Sequence, residues 1–356
     1  MKFVVEERSL ETIAAVRDIL ADPRFRLVVV PDGPPRTKPK AVNYALPLAR
    51  GEHLVIYDAE DVPEPGQLRL AASLFAADAG LACLQAELVP DNADENSLTA
   101  LFAGEYAGLF GRLLPLLARW DLPVPLGGTS NHFRTDVLRE IGGWDSYNVT
   151  EDADLGVRLR RRGLSAEPFA SRTYEEAPPD LLVWMKQRTR WMKGWMQTYV
   201  VHSLDGRNLL RDFGWRVLAG FHVLIGGMIL TAILHTVFLG VVLAEVLFEG
   251  PAAFLPNDAG DWISILVLAI GYGGAGAIVI SGLLHIRAPW LIWAQLLLPA
   301  YWLLHSIAAI RAVYELVEKP TYWAKTEHGL TRQARGEPLL GRGGIAVPVP
   351  VRRRSG

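Results

Sequence analysis

Hydrophobic positions along this chain follow two patterns that change near residue 175. Before it, short apolar runs alternate with helix-like stretches, which predicts an α/β domain built on a largely parallel sheet. Strands are expected at Phe3–Glu6, Leu27–Val30, His53–Tyr57 and Leu81–Glu87. Helices are expected at Leu10–Leu20, from Lys40, at Gln67–Ala77 and over Ser97–Trp120, with Pro115 breaking the last. The stretch Leu126–Arg134 and a helix Thr135–Ile141 lead to an acidic start, after which a short helix Ala153–Arg162 ends at Gly163.

After residue 175 the pattern becomes amphipathic and then apolar. Leu181, Trp184, Met185, Met192, Trp195, Met196 and Tyr199 form one side of a helix, and Lys186, Arg190, Lys193 and Gln197 form the other. That is the pattern of a helix lying in a membrane interface. Three windows then carry no charged residue, 217–244, 262–286 and 288–310, and about 20 apolar residues suffice to cross a bilayer. The first two are expected to span. The loop between them holds Glu245, Glu249, Asp258 and Asp261 but no Lys or Arg, as an outside loop should. The third window contains Trp290, Gln295, Pro299, Tyr301, Trp302 and His305 and is expected to lie in the interface or re-enter, because spanning would export a tail rich in Arg and Lys. The layout is therefore an α/β domain over 1–175, interfacial helices over 176–216, a membrane region over 217–314, and a cytoplasmic segment over 315–356 whose Gly, Pro and Arg content beyond Leu330 predicts no packed structure.

Composition narrows the function classes. Half the residues are hydrophobic and the net charge is -2, which argues against a nucleic-acid binder. The single cysteine, Cys83, excludes an internal disulfide, fits a reducing compartment and reads as a core filler.

Four polar stretches carry candidate chemistry. Tyr57-Asp58-Ala59-Glu60-Asp61 closes a strand, where open α/β sheets bind ligands, and its carboxylates suit Mg²⁺ or Mn²⁺. It also reads as an acidic turn before Pro63. Thr37-Lys38-Pro39-Lys40-Ala41-Val42-Asn43 sets two ammonium groups and an amide at a helix start, suited to phosphate oxygens or to a solvated loop. Thr150-Glu151-Asp152 opens the short helix, either as chemistry or as an N-cap with acids complementing the dipole. Gln187, Arg190 and Trp191 share a helix face at i, i+3 and i+4, and Gly194 extends that face without a side chain.

In this order the four stretches resemble the processive, membrane-integrated family 2 glycosyltransferases, which include cellulose, hyaluronan and other β-glucan synthases. The resemblance runs from about residue 1 to 330 and implies a GT-A (Rossmann-like) glycosyltransferase domain followed by α-helical membrane segments. The family's D-x-D motif corresponds to Asp58-Ala59-Glu60, with Asp61 adjacent, so its second aspartate is a glutamate here. Its T-E-D motif matches Thr150-Glu151-Asp152 and implies Asp152, beside Glu151, as catalytic base. Its Q-x-x-R-W motif matches Gln187–Trp191. Lys38, Lys40, Asn43, Asp58, Gln187 and Arg190 are thereby implied at the donor, Trp191, Gly128 and Thr129 at the acceptor, and Asp58, Glu60 and Asp61 at Mg²⁺ or Mn²⁺. Trp323–Gly329 resembles the family's gating loop. The family's domain has one more strand–helix unit before the strand that opens here at Phe3.

The implied partners are a nucleotide-sugar donor, a glycan or lipid acceptor and the membrane, with no nucleic acid. The implied location is the inner (cytoplasmic) membrane, multi-pass, with the catalytic domain in the cytoplasm. Inverting transfer to a growing β-linked polysaccharide leads. Single-sugar transfer to a lipid and a non-catalytic scaffold on the same fold are the alternatives.

Overall fold

The computed structural model describes residues 1–250, 256, 258–323 and 329–331. Most of the gating-like stretch, the end of the tail and much of the 245–261 loop lie outside the described residues. The chain opens with β1 (Lys2–Glu6), α1 (Leu10–Ile19) and β2 (Arg26–Val30), and β1 and β2 pair in parallel from Lys2↔Arg26 to Glu6↔Val30. There follow α2 (Lys38–Ala45), β3 (His53–Ile56), β4 (Val62–Pro63), α3 (Gln67–Ala77), β5 (Leu81–Pro90) and α4 (Ser97–Gly108). Next come α5 (Leu114–Arg119), β6 (Asn131–Arg134), α6 (Thr135–Glu140), α7 (Glu151–Arg161) and β7 (Ser165–Glu175).

The main sheet runs β3-β6-β5-β7-β4 and is mixed, which corrects the largely parallel sheet expected from the sequence. β5 and β7 are parallel, whereas β6 runs antiparallel to both β3 and β5, and β4 antiparallel to β7. The cause is the entry of β6. The chain reaches it through the 121–130 loop at the carboxyl edge, so it runs back along the sheet without a crossover. Strand β7 was not anticipated, because its mixed sequence, with Arg172 and Glu167 among small residues, lacks a clean alternation. β5 sits between β6 and β7 and is buried at every residue, Cys83 included, which accounts for its unbroken apolar run and places the cysteine in the core as expected.

Pro115 does not break the long helix. A π-helical turn, Leu109–Leu113, precedes α5, and the wide turn absorbs the hydrogen bond that proline cannot make.

The second half holds α8 (Leu181–Leu204), α9 (Gly206–Phe221), α10 (Gly227–Glu249), α11 (Ala259–His285) and α12 (Leu298–Glu318). A kink at Gly214 bends α9, and a π turn at His222–Gly226 joins it to α10. The third apolar window is interrupted near Pro299: a 3-10 segment Pro289–Leu297 gives way to α12. Among the described residues, four helical stretches are long and apolar enough to cross a membrane: Ser97–Arg119, Gly206–Phe248, Ala259–His285 and Pro289–Glu318. The first is 67% buried and belongs to the domain core, whereas the second and third are only 17% and 6% buried.

Helix α8 departs from the amphipathic expectation. Gln187, Arg188 and Lys193 are buried, and Lys193 donates to Glu315 (3.1 Å), the Lys319 carbonyl (3.2 Å) and the Tyr322 carbonyl (2.8 Å). Of the polar side expected to meet water or headgroups, Lys186 is exposed, whereas Lys193 and Gln197 find hydrogen-bond partners on the end of α12 and the segment that follows it.

Candidate active site

Because β6 is antiparallel to β3 and β5, and β5 is parallel to β7, three strand ends meet at one edge: the carboxyl ends of β3, β5 and β7. The amino end of β6 joins them. This edge carries Asp58–Asp61 after β3, Gly128–Thr129 before β6, and Glu175–Glu176 at the close of β7.

Asp58 and Asp61 are locked in a tight turn. The Asp58 amide donates to Asp61 Oδ2 (2.9 Å) and to Thr129 Oγ1 (3.2 Å), and the Thr129 hydroxyl donates to Asp61 in a very short contact. Burial and the neighbouring Asp58 and Glu60 push the Asp61 carboxyl up to about 7. Glu175 is pushed well above the carboxylate range by burial and by Asp61, Asp58 and Glu60.

Lys38 opens α2, whose N-cap Thr37 accepts from the Lys40 amide. Its ammonium bridges Asp58 and the Gly128 carbonyl (2.7 Å). Burial works against its charge, but Asp58, Glu151 and Asp152 together hold its pKa above the ordinary value.

The other two residues of the lysine stretch point elsewhere. Lys40 donates to the carbonyls of Pro31 (2.8 Å) and Gly33 (2.7 Å), and Asn43 clamps Trp144 through both ends of its amide (2.6 and 3.0 Å). Both hold loops that frame the edge.

Glu151 and Asp152 stand at the start of α7. Thr150 occupies the N-cap position without capping the helix, since its hydroxyl donates to Asn148 (3.4 Å). Asp152 accepts from the Ala153 amide (2.8 Å). The segment before α7 is zipped to α8: Asn148 donates to Thr198 (2.9 Å), and the Val149 amide to Gln197 (3.3 Å).

Gly194 makes this approach possible. A Cβ there would lie 2.2 Å from Thr150 Oγ1, so only glycine lets α8 press against the acidic start. The same packing sets Arg190 beside the pair; it donates to the Val149 carbonyl (3.4 Å) and stacks on Trp323 at 4.7 Å. Burial lowers the Arg190 pKa while Glu151, Asp152 and Asp58 oppose that shift. Burial raises both Glu151 and Asp152, with Asp152 adding to the rise of Glu151 and Lys38 and Arg190 opposing it. Gly128 lies against them, a Cβ there being 3.4 Å from Asp152 Oδ2.

On α8 the Gln187 side-chain carbonyl is buried and has no hydrogen-bond partner among the described residues. Trp191 packs near Phe102 and Tyr106, at 6.2 and 6.3 Å between ring centroids.

The structure therefore brings together Lys38, Asp58, Asp61, Gly128, Thr129, Glu151, Asp152 and Arg190, and leaves Lys40 and Asn43 in framing roles. Among the described residues no three His, Cys, Asp or Glu groups form a metal cage. The set fits a hard cation that takes one or two protein carboxylates and completes its shell from phosphate, since the clustered acids are oxygen donors raised by burial and by mutual repulsion. Glu175 was missed in the sequence. Its signal was available, because Tyr174-Glu175-Glu176 ends an extended stretch just before Pro178-Pro179, much as Asp58–Asp61 ends one before Pro63.

A curled mixed sheet with acids and one lysine gathered at its carboxyl edge, backed by long apolar helices, defines the GT-A class of glycosyltransferases. The chain belongs to glycosyl transferase family group 2, whose profile matches residues 53–314. It is 26% identical over 176 residues to the probable glycosyltransferase YdaM of Bacillus subtilis, covering 49% of this chain and 41% of that protein. It is 28% identical over 186 residues to the UDP-forming cellulose synthase 1 catalytic subunit of Komagataeibacter xylinus, covering 50% of this chain and 24% of that one. The chain thus spans well under two thirds of these relatives. Among solved structures, the mannosyltransferase PcManGT of Pyrobaculum calidifontis, in complex with GDP-Man and Mn²⁺, superposes with a TM-score of 0.50 at 20% identity over 86% of this chain and 75% of that one.

Proposed function

We propose that this protein transfers a sugar, with inversion, from a nucleotide-sugar donor such as UDP-glucose to a growing β-linked polysaccharide at the membrane, with its catalytic domain in the cytoplasm. The observation that carries the reading is the convergence of Lys38, Asp58, Asp152 and Arg190 at one sheet edge, with Trp191 one residue further along the same helix. A sugar hydroxyl is a poor nucleophile at neutral pH, and a carboxylate that accepts its proton during attack accelerates transfer. Asp152 serves that role, and burial keeps its basicity above that of an ordinary aspartate.

Lys38 and Arg190 face the charge that develops on the leaving diphosphate, in a pocket where such interactions are strong. Asp58, with Glu60 and Asp61, would hold Mg²⁺ or Mn²⁺, which supplies further charge neutralisation at the diphosphate. Gln187 offers its unsatisfied carbonyl to a donor hydroxyl. Trp191 offers a flat apolar face to the acceptor sugar. The Mn²⁺ and GDP-Man bound by the mannosyltransferase neighbour support the donor class and the cation.

One observation favours a second reading, transfer of one sugar to a lipid acceptor: α10 and α11 are largely exposed along their length. Purified full-length protein in detergent, given labelled nucleotide sugars with Mg²⁺ or Mn²⁺, tests both. A size ladder of β-linked product is expected. A single labelled lipid species would establish the second reading, and absence of donor turnover with every nucleotide sugar would leave only a scaffold.

A further inference from the structure

The middle of the Q-R-T-R-W stretch holds a second arginine that the proposed chemistry does not use. Arg188 is buried on α8, and both of its terminal nitrogens are engaged. It forms a two-pronged ion pair with Glu105 of α4 (2.5 and 2.7 Å) and donates to the Tyr301 hydroxyl of α12 (3.4 Å). Tyr301 in turn donates to Glu105 (2.8 Å) and accepts from the Trp184 indole (3.2 Å). Three elements are thus tied at one guanidinium.

That guanidinium also stands over aromatic rings, 4.6 Å from the centroid of Trp191, 4.8 Å from Phe102 and 5.4 Å from Trp184. A planar cation held in place by a bidentate carboxylate is a rigid support for an indole, and a lysine ammonium cannot reproduce it. The support is directional, because the buried guanidinium is fixed by two parallel charge-assisted hydrogen bonds. Among the described residues the Trp191 side chain makes no hydrogen bond, and its orientation is set by what packs against it.

We propose that Arg188 is a positioning residue that fixes the plane of the Trp191 indole, and that Tyr301 links this plane to α12, so that the acceptor platform and the third apolar window are mechanically one unit. The kinetic side rests on the reading of Trp191 as the acceptor platform; the structural side does not. Arg188 touches no reacting group, and its effect falls on how the acceptor sits.

The test uses full-length protein labelled with fluorotryptophan, with the Trp191 resonance assigned by its loss in Trp191→Phe. In Arg188→Lys that resonance is expected to shift and broaden while the line of the distant Trp144 stays in place, and Tyr301→Phe is expected to move it less. If the lysine variant does not fold, Tyr301→Phe carries the test. A Trp191 line unchanged in every variant that folds overturns the proposal, whatever the enzyme's activity.

In transfer assays Arg188→Lys is expected to raise the acceptor KM about tenfold with the donor KM within about twofold. In a Trp191→Phe background the same change should add less than about twofold, because the two residues act through one contact. An equal loss in both backgrounds, or a donor defect matching the acceptor defect, overturns it. A wild-type protein without sugar transfer would overturn the functional reading instead, and the fluorine result would still decide the positioning role.

Discussion

Helix α7 carries three carboxylates within four residues, and their surroundings treat them in opposite ways. Glu151 and Asp152 lie near Lys38 and Arg190, where burial raises both pKa values although backbone hydrogen bonds and these two cations oppose the effect. Asp154 faces the other way. It accepts from Arg158 (2.7 Å) and is paired with His202 Nε2 (2.9 Å), whose Nδ1 lies 3.2 Å from the Arg161 guanidinium. Burial would raise Asp154 too, but His202 and Arg158 overcome it and its pKa is lowered. Since a residue advances about 100° around a helix, positions 152 and 154 lie on opposite faces. The lesson is that burial alone does not mark chemistry. Buried acids with all their partners hold α7 to α8, and buried acids left to repel one another are those poised for protons and cations.

The largest expected effect separates the two faces by cation. Exhaustive chelation should lower sugar transfer by at least about 100-fold, consistent with several kcal/mol of charge stabilisation from a metal, with restoration by Mg²⁺ or Mn²⁺ but not by monovalent salt. Full activity after chelation would remove the metal from the account. Lys38→Ala should come next. Losing a charge-assisted contact costs about 1.5–3 kcal/mol, or roughly 10- to 100-fold in transfer rate, and a rate within about twofold of wild type would show that its bridge to Asp58 is only structural.

A smaller effect follows from pH. Glu151 has a folded pKa above its unfolded value, so the folded state binds the extra proton and stability falls as pH rises through the folded pKa. Asp154 has the opposite sign; its contribution is present above the unfolded pKa and is lost as pH falls through the lowered value. Glu151→Gln should therefore raise the apparent Tm by about 2–4 °C at pH 8, the shift expected for ~1 kcal/mol, and change it little at pH 5. A gain of equal size at both pH values would mean that Glu151 is not held protonated. The smallest effect concerns topology: a cysteine at Ser355, with Cys83 replaced, should resist an impermeant thiol reagent in intact cells. Rapid labelling from outside would place the tail across the membrane and make the third window a span.

Most of the fold's local pieces were legible in the sequence. The period of 3.6 gave α3 with its observed ends, and the run Leu81–Glu87 marked the central strand. What could not be read was direction. Nothing local distinguishes the antiparallel β6 from a parallel strand, because its pairing follows from where the 121–130 loop lets the chain re-enter. The polar side of α8 misled for a related reason: Lys186, Arg190, Lys193 and Gln197 have the spacing of a solvated face, but Lys193 finds its partners more than 100 residues away, at Glu315, Lys319 and Tyr322. The site was legible as residue types and not as contacts. Lys38, Asp58 and Asp152 meet, whereas Lys40 and Asn43, from the same stretch as Lys38, serve the loops beside them.

The claim that the front of α7 does chemistry while its back holds structure is tested most directly by Asp152→Asn and Asp154→Asn, assayed together for sugar transfer, nucleotide-sugar binding and thermal stability. Asp152→Asn should lower transfer by about 10²- to 10⁴-fold, the usual contribution of a general base, with donor binding within a few fold and no loss of stability. Asp154→Asn should lower the apparent Tm and leave transfer, measured well below that temperature, within about tenfold of wild type, as expected for a residue that acts only by holding α7 to α8. Wild-type transfer by Asp152→Asn, or an equal collapse of transfer in a folded Asp154→Asn, would contradict the account.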